Sequence, residues 1–232
     1  MNISFLRYIG IVILVAILSF RCSGKKDSSS SVDSCTSVTE TLGSPKTIED
    51  TLNLINALPR PLTLPCFLNS LKAPLGVYAV NNTFSAQPAV DKQNPRIFII
   101  RDKLVLSVVP AGTGRNLLEF GEFNSGVESF KGEIPFPVEG TVTINDVVNH
   151  ISATSSTSTC VTCHGSERKA QYKTLGPLWV SEFIRPNDAQ RVTYPYLRAQ
   201  AGACNPETSQ YRCDILNAIY TKGTAEDVPF PY

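Results

Sequence analysis

Two thiols and an imidazole lie close together in the C-terminal half of the chain, at Cys160, Cys163 and His164 in the run Cys-Val-Thr-Cys-His-Gly. Residues three apart on one helical turn lie on the same side, so both sulfurs can reach one planar group. They can form thioethers to the two vinyl groups of a porphyrin, while the imidazole of His164 approaches the iron. The C-x-x-C-H spacing therefore predicts covalent attachment of one haem c per chain.

At this motif the chain resembles the c-type cytochromes, in which glycine is common after the histidine, as Gly165 is here. The resemblance covers residues 150–232. It implies an α-helical haem domain, His164 as the proximal axial ligand, and electron transfer as the activity. No family resemblance is found in the part of the chain before it.

Three other sites use a C-x-x-C pair. A thioredoxin-like redox pair follows a buried strand, whereas this motif follows the polar run 152–159. A structural zinc needs four closed ligands, and the chain has only two histidines, while the neighbours Cys163 and His164 would rarely both bind one metal. An ordinary disulfide or a chance match to a short motif also stays open.

The second axial ligand of such a haem is not given by the motif. Small soluble cytochromes usually draw it from a methionine after the motif, but the single methionine here is Met1. His150 is the only other histidine and is predicted to bind the iron from the opposite face. Lys173, Lys222, a tyrosine, a partner protein, or an open five-coordinate iron are the alternatives.

The N-terminus predicts export. An apolar run over residues 8–20 is too short for a membrane span of about 20 residues but suits the core of a signal peptide. Cys22 follows, and residues 23–34 form a polar, flexible tether. This order resembles a bacterial lipoprotein, with residues 1–22 as the signal and Cys22 as the lipid-modified residue, although Arg21 replaces the usual small residue.

The resemblance implies a cell-envelope protein, in the periplasm or on the outer membrane, with the membrane contacted through the lipid on Cys22. A soluble periplasmic protein and an uncleaved anchor are the alternatives. The chain has seven cysteines, and lipid on Cys22 with haem on the motif leaves four. In an oxidising compartment these are predicted to form two local disulfides, Cys35–Cys66 and Cys204–Cys213, the simplest of three connectivities.

The fold is predicted as α+β, in two parts. Residues 35–145 form a β-rich module, a sandwich or open barrel, after a short helix capped by Thr47. Its five main strands are predicted at Gly76–Val80, Arg96–Ile100, Leu104–Val109, Leu117–Phe123 and Glu128–Ile134. Residues 146–232 form an α-helical, cytochrome c-like domain, with helices over 167–172, 189–198 and 213–222.

The predicted function is that of an electron carrier more than of an enzyme. The formal net charge is +1, and the charged residues are interspersed, so no nucleic-acid partner is expected. The redox partner protein is not identified by the sequence. A haem peroxidase, a gas or redox sensor with an open distal site, and a binding lipoprotein whose β-module carries the function are the alternatives.

Overall fold

The computed structural model describes Cys35 and residues 37–231, apart from the side chain of Ser125. Three predictions fall outside the described residues: the signal over residues 1–22, the lipid-modified Cys22, and the tether over residues 23–34. Among the residues that are described, no helix has both the length and the apolar character that a membrane span requires.

The elements follow one another in a mixed order of helices and strands. The α-helices are α1 (Ile48–Ala57), α2 (Leu64–Ser70), α3 (Ile144–Ile151), α4 (Tyr194–Gly202) and α5 (Pro206–Tyr220). The strands are β1 (Leu75–Val80), β2 (Arg96–Arg101), β3 (Leu104–Val108), β4 (Leu117–Ser125), β5 (Glu128–Pro135), β6 (Arg168–Tyr172), β7 (Gly176–Glu182) and β8 (Ala225–Asp227). Two short 3₁₀ turns lie at Thr159–Thr162 and Asp188–Gln190.

All eight strands belong to one sheet, in the order β6-β7-β5-β4-β3-β2-β1-β8. Each neighbouring pair is antiparallel except β1 and β8, which are parallel. The five strands predicted in the first part of the chain are present, with bounds within one or two residues of those expected. The α+β class is therefore confirmed, as a mostly antiparallel open sheet with helices.

The C-terminal part departs from the prediction of a separate helical domain, which is not confirmed. It contains α4 and α5, but it also contributes β6, β7 and β8 to the common sheet. Residues 168–172, predicted as helix, form the edge strand β6. Three of the five β6 residues are exposed, and charged and polar side chains of this kind protect the edges of sheets. A polar run of five residues has no clear hydrophobic periodicity, so the sequence does not distinguish a strand from a helix here.

The two faces of the sheet have different coverings. Successive strand residues point to opposite faces, so Val77 and Ala79 pack into the main core with the helices, while Tyr78 and Val80 belong to a smaller cluster on the other face. That smaller cluster is aromatic, and its buried members are Tyr78, Val80, Phe98, Val105, Phe123 and Phe230. The second face is where the motif lies.

Local signals and disulfides fix the helices. The hydroxyl of Thr47 caps α1 by accepting a hydrogen bond from the backbone N–H of Asp50 at 3.1 Å. The sequence predicts an extended segment before Cys66 from Pro59, Pro61 and Pro65. Pro65 lies instead in the first turn of α2, where proline is tolerated because the N–H at that position has no helical partner. The structure contains both predicted disulfides, Cys35–Cys66 and Cys204–Cys213, and such bonds are typical of an oxidising compartment.

Candidate haem-attachment site

The motif opens on a 3₁₀ turn, Thr159–Thr162. The carbonyl of Cys160 accepts hydrogen bonds from the backbone N–H of Cys163 at 3.0 Å and of His164 at 2.9 Å, so one turn spans the whole motif. Side chains three residues apart eclipse one another in a 3₁₀ helix, which places both cysteines on one side. Neither cysteine is in a disulfide, so two free thiols are presented together.

Glu167 and Ser158 hold the beginning of this turn. The hydroxyl oxygen of Ser158 caps it by accepting the backbone N–H of Cys160 at 3.0 Å. Ser158 in turn donates its backbone N–H to Oε1 of Glu167 at 2.6 Å and its hydroxyl to Oε2 of the same carboxylate. Because Ser158 is fully buried, these bonds fix the direction in which the motif begins.

The ring of His164 is oriented by the end of strand β7. Its Nδ1 lies 2.8 Å from the backbone carbonyl oxygen of Glu182. A carbonyl oxygen only accepts, so Nδ1 carries the proton of this hydrogen bond. Burial, with a contribution from the charge on Lys131, lowers the pKa of His164 to about 4, so the ring is neutral at pH 7. Its Nε2 therefore keeps the lone pair that a metal ion requires.

Glu182 also holds the turn that follows the histidine. Its backbone N–H donates to the carbonyl of Gly165 at 3.1 Å, and its Oε1 accepts the hydroxyl of Ser166 at 3.0 Å. A Cβ at Gly165 would lie 3.2 Å from the carboxylate of Glu182, so the turn has little room for a side chain there. One strand-end residue thus positions both the imidazole and the chain after it.

A pocket of about 390 Å³ adjoins the motif on the second face of the sheet. This volume is within the roughly 300–1,000 Å³ of ligand and cofactor sites in proteins. Cys160, Cys163 and His164 all line it. The aromatic residues of its lining lie before and on β2, on β4 and in two later segments, at Phe84, Phe98, Phe120, Phe123, Phe183 and Phe230.

Charged side chains on alternate strand positions form the polar part of the pocket. The guanidinium of Arg96 pairs with the carboxylate of Glu119 and also bonds the hydroxyl of Ser107. Lys131 on β5 lies near the motif, and its ammonium is 5.7 Å from the ring centre of Phe183. Burial lowers the pKa of Lys131 to about 8, and burial raises the pKa of the Cys160 thiol.

His150 lies on α3 and is not among the described residues that line the pocket. Its Nε2 is 2.8 Å from Oε1 of Glu133, which does line it. Burial lowers the pKa of His150, while burial and the charge of Glu119 raise the pKa of Glu133 to about 7. Both shifts favour a neutral hydrogen-bonded pair, and iron ligation by His150 stays a prediction.

Sequence reasoning missed Lys131 as a pocket residue. Lys173, which it considered instead, forms an ion pair with Glu49 at 3.0 Å, and Lys222 lies two residues after the end of α5, outside this pocket. The signal was present in strand β5, where Ser129, Lys131 and Glu133 alternate with apolar residues. From the sequence, the carboxylate of Glu133 is interpreted as a solvated strand-face or turn group, whereas this face of β5 forms the floor of the pocket.

The chemistry of the donor set fits a haem: two free thiols on one side of a turn, a neutral imidazole with its Nε2 free, and an aromatic pocket beside them. Comparison of the chain with protein-family models, with curated proteins and with solved structures found no match. The interpretation of the site therefore depends on its own geometry and chemistry.

Proposed function

We propose that this protein is an exported monohaem c-type protein that transfers electrons. Cys160 and Cys163 would hold the haem through thioethers, and His164 would bind the iron as the proximal ligand. The observation that supports this most strongly is the hydrogen bond from Nδ1 of His164 to the carbonyl of Glu182. Histidines that bind metals almost always donate their other ring N–H in this way.

Each part of the site has a role in this proposal. When bound, the haem supplies a one-electron couple at its iron. The carbonyl of Glu182 fixes the tautomer of His164 and raises the basicity of its Nε2. The aromatic lining, of which Phe98 and Phe123 are buried members, limits the access of water, and burial is one of the factors that set a haem potential.

The test of this function is covalent attachment. The full chain, made in a host with a cytochrome c maturation system, should keep its haem through acid–acetone extraction and through a denaturing gel. Cys160→Ser combined with Cys163→Ser should abolish the haem-stained band, because no thioether can form. Val161→Ala is the matched control, since Val161 lies within the motif, is 48% exposed and offers no ligand. Complete extraction of haem from the wild-type protein would refute the proposal.

The cell envelope is the location that we propose, with lipid on Cys22 as the membrane anchor and an unidentified protein as the redox partner. Both disulfides fit an oxidising compartment. Detergent-phase partitioning of the wild-type protein, lost in Cys22→Ser, would support the anchor. A mature protein with an unmodified N-terminus in mass spectrometry would exclude it and leave a soluble periplasmic protein or an uncleaved signal.

The pocket itself favours one alternative function. Its aromatic lining and volume of about 390 Å³ would suit a small apolar ligand, as expected of a binding lipoprotein whose β-sheet carries the function. A purified protein without a haem spectrum would favour that alternative. An open distal site, as in a haem peroxidase or gas sensor, would instead show as strong carbon monoxide binding by the reduced haem protein.

A further inference from the structure

We propose that Lys131 supplies the second axial ligand of the iron, which rests on the haem attachment proposed above. Lys131 projects from strand β5 in the floor of the pocket, whereas His164 lies on the non-strand segment that follows the 3₁₀ turn. The two residues line the same pocket from different structural elements. A six-coordinate haem has two axial donors, and donors on separate elements around one pocket can approach an iron from different sides.

The inventory of nitrogen donors favours Lys131. Within the described lining, Arg96 has a guanidinium that keeps its proton and has no acceptor lone pair. The side-chain amides of Asn82 and Asn187 offer no basic nitrogen. Lys131 and His164 are therefore the two lining residues of the described chain whose side chains can offer a nitrogen lone pair to iron.

The carboxylates of the lining have other partners. Glu119 pairs with the guanidinium of Arg96, and Oε1 of Glu133 lies 2.8 Å from the ring of His150. Within the described residues, the Nζ of Lys131 has no hydrogen bond and no ion pair, and it lies 5.7 Å from the ring centre of Phe183. Of the charged side chains in the described pocket lining, Lys131 is the one that has neither a hydrogen bond nor an ion pair.

Binding of Lys131 to iron as a neutral amine would remove the free-energy cost of burying its ammonium. A cation beside aromatic side chains loses hydration without gaining a counter-ion, whereas a neutral amine uses its lone pair in the metal bond. His150 is less well placed, since it lies outside the lining and already bonds Glu133.

Four variants of the full-length haem protein test the assignment: Lys131→Ala, Lys131→Met, His150→Ala and, as the matched control, Lys169→Ala. Lys169 is on the edge strand β6, which β7 separates from β5. Its ammonium lies 4.6 Å from the ring centre of Trp179, and Lys169 is outside the pocket lining. The readouts are the visible and electron paramagnetic resonance spectra, carbon monoxide binding by the reduced protein, and the midpoint potential.

We expect the wild-type iron to be low-spin, and Lys131→Ala to be high-spin. The apparent affinity of Lys131→Ala for carbon monoxide should rise at least about tenfold. In the wild type, Lys131 must first leave the iron before carbon monoxide can bind, whereas in the variant the iron is already five-coordinate. Lys131→Met should remain low-spin with a higher potential, since methionine ligation raises it. His150→Ala and Lys169→Ala should keep the wild-type spectrum.

A low-spin spectrum in Lys131→Ala would overturn the assignment, and a simultaneous change to high-spin in His150→Ala would give the role to His150. A wild-type iron that is already high-spin would also overturn it. Failure of the proposed function is separate, because it would show as haem that extracts from the wild-type protein. Lys131→Ala should keep its haem covalently, since neither thiol is changed.

Discussion

The imidazole of His164 donates its Nδ1 proton to the backbone carbonyl of Glu182, across 2.8 Å and from a loop to the last residue of strand β7. This hydrogen bond attaches the loop to a rigid strand, because β7 is paired on both sides, with β5 and with β6. The same glutamate also fixes the turn after the histidine through its backbone N–H and its carboxylate. The sheet thus sets the orientation of a ring that the motif alone would leave free to rotate.

The first prediction concerns the side chain of Glu182. Glu182→Ala keeps the carbonyl but removes the bond to Ser166, so the turn should loosen and the bond to His164 should weaken. A less basic imidazole stabilises ferric iron less, so the midpoint potential should rise. A tenfold change in the equilibrium between ferric and ferrous iron corresponds to about 60 mV, which is the upper limit we expect. A redox titration measures this. Glu226→Ala, at an exposed position of β8, is the control, and equal potentials in both variants would contradict the argument.

The second prediction concerns the disulfide between Cys204 and Cys213. It links two residues that are nine positions apart, Cys204 just before α5 and the buried Cys213 within it. Cys204→Ser combined with Cys213→Ser should lower the free energy of unfolding by about 2–3 kcal/mol, from the greater freedom of the unfolded chain. Urea unfolding measures the loss. Peptide mapping without reduction should show the wild-type residues in one linked fragment, and a link from either to Cys35 or Cys66 would contradict it.

The strands were predictable because their signal is local. In β1 to β3 the chain alternates or continues in β-branched and aromatic residues between turns, and Asp102, with a positive φ of 56°, makes one of those turns. The edge strand β6 was missed because its five residues carry charge without a clear period. Its place is decided by pairing with β7, which is a contact that no local pattern records.

The spacing of the motif predicts that its two thiols and its imidazole lie together, as they do, but their surroundings could not be predicted. Cys160 and His164 can be identified from the C-x-x-C-H spacing alone. The pocket beside them is built from strands that lie far away in sequence, and Lys131 enters it only because the register of β5 turns that residue to the second face. The carbonyl of Glu182 is invisible to a sequence pattern, since every residue has one.

The third prediction concerns the buried carboxylate of Glu122. Its Oε2 accepts the hydroxyl of Tyr172 at 2.5 Å and the backbone N–H of Ile48 at 2.7 Å, which docks the first turn of α1 on the sheet. Tyr172→Phe removes the bond to Glu122 and the hydrogen bond that the hydroxyl accepts from the backbone N–H of Glu49 at 3.3 Å, so it should lower the free energy of unfolding by about 1.5–3 kcal/mol. Thermal or urea unfolding measures the change.

The control for this prediction is Tyr196→Phe. The ring of Tyr196 lies under the ammonium of Lys92, and within the described chain its hydroxyl has no hydrogen-bond partner. Loss of the Tyr196 hydroxyl should lower the free energy of unfolding by no more than about 0.5 kcal/mol. Equal effects of the two substitutions would show that the bond to Glu122 contributes nothing beyond ordinary loss of a hydroxyl.

The last prediction concerns the pH dependence of stability at Glu133. Burial and the charge of Glu119 raise the pKa of Glu133 from 4.5 to about 7 in the folded protein. Between these two pH values the folded state binds more protons than the unfolded state, so the free energy of unfolding falls as the pH rises. Glu133→Gln keeps a group that can bond His150 but cannot ionise. It should therefore be more stable than the wild type at pH 8, by about 2 kcal/mol, and similar to it at pH 4.5. Urea unfolding at both pH values measures this, with the exposed Glu139→Gln as the control. Equal stability of the variant and the wild type at pH 8 would contradict the raised pKa of Glu133.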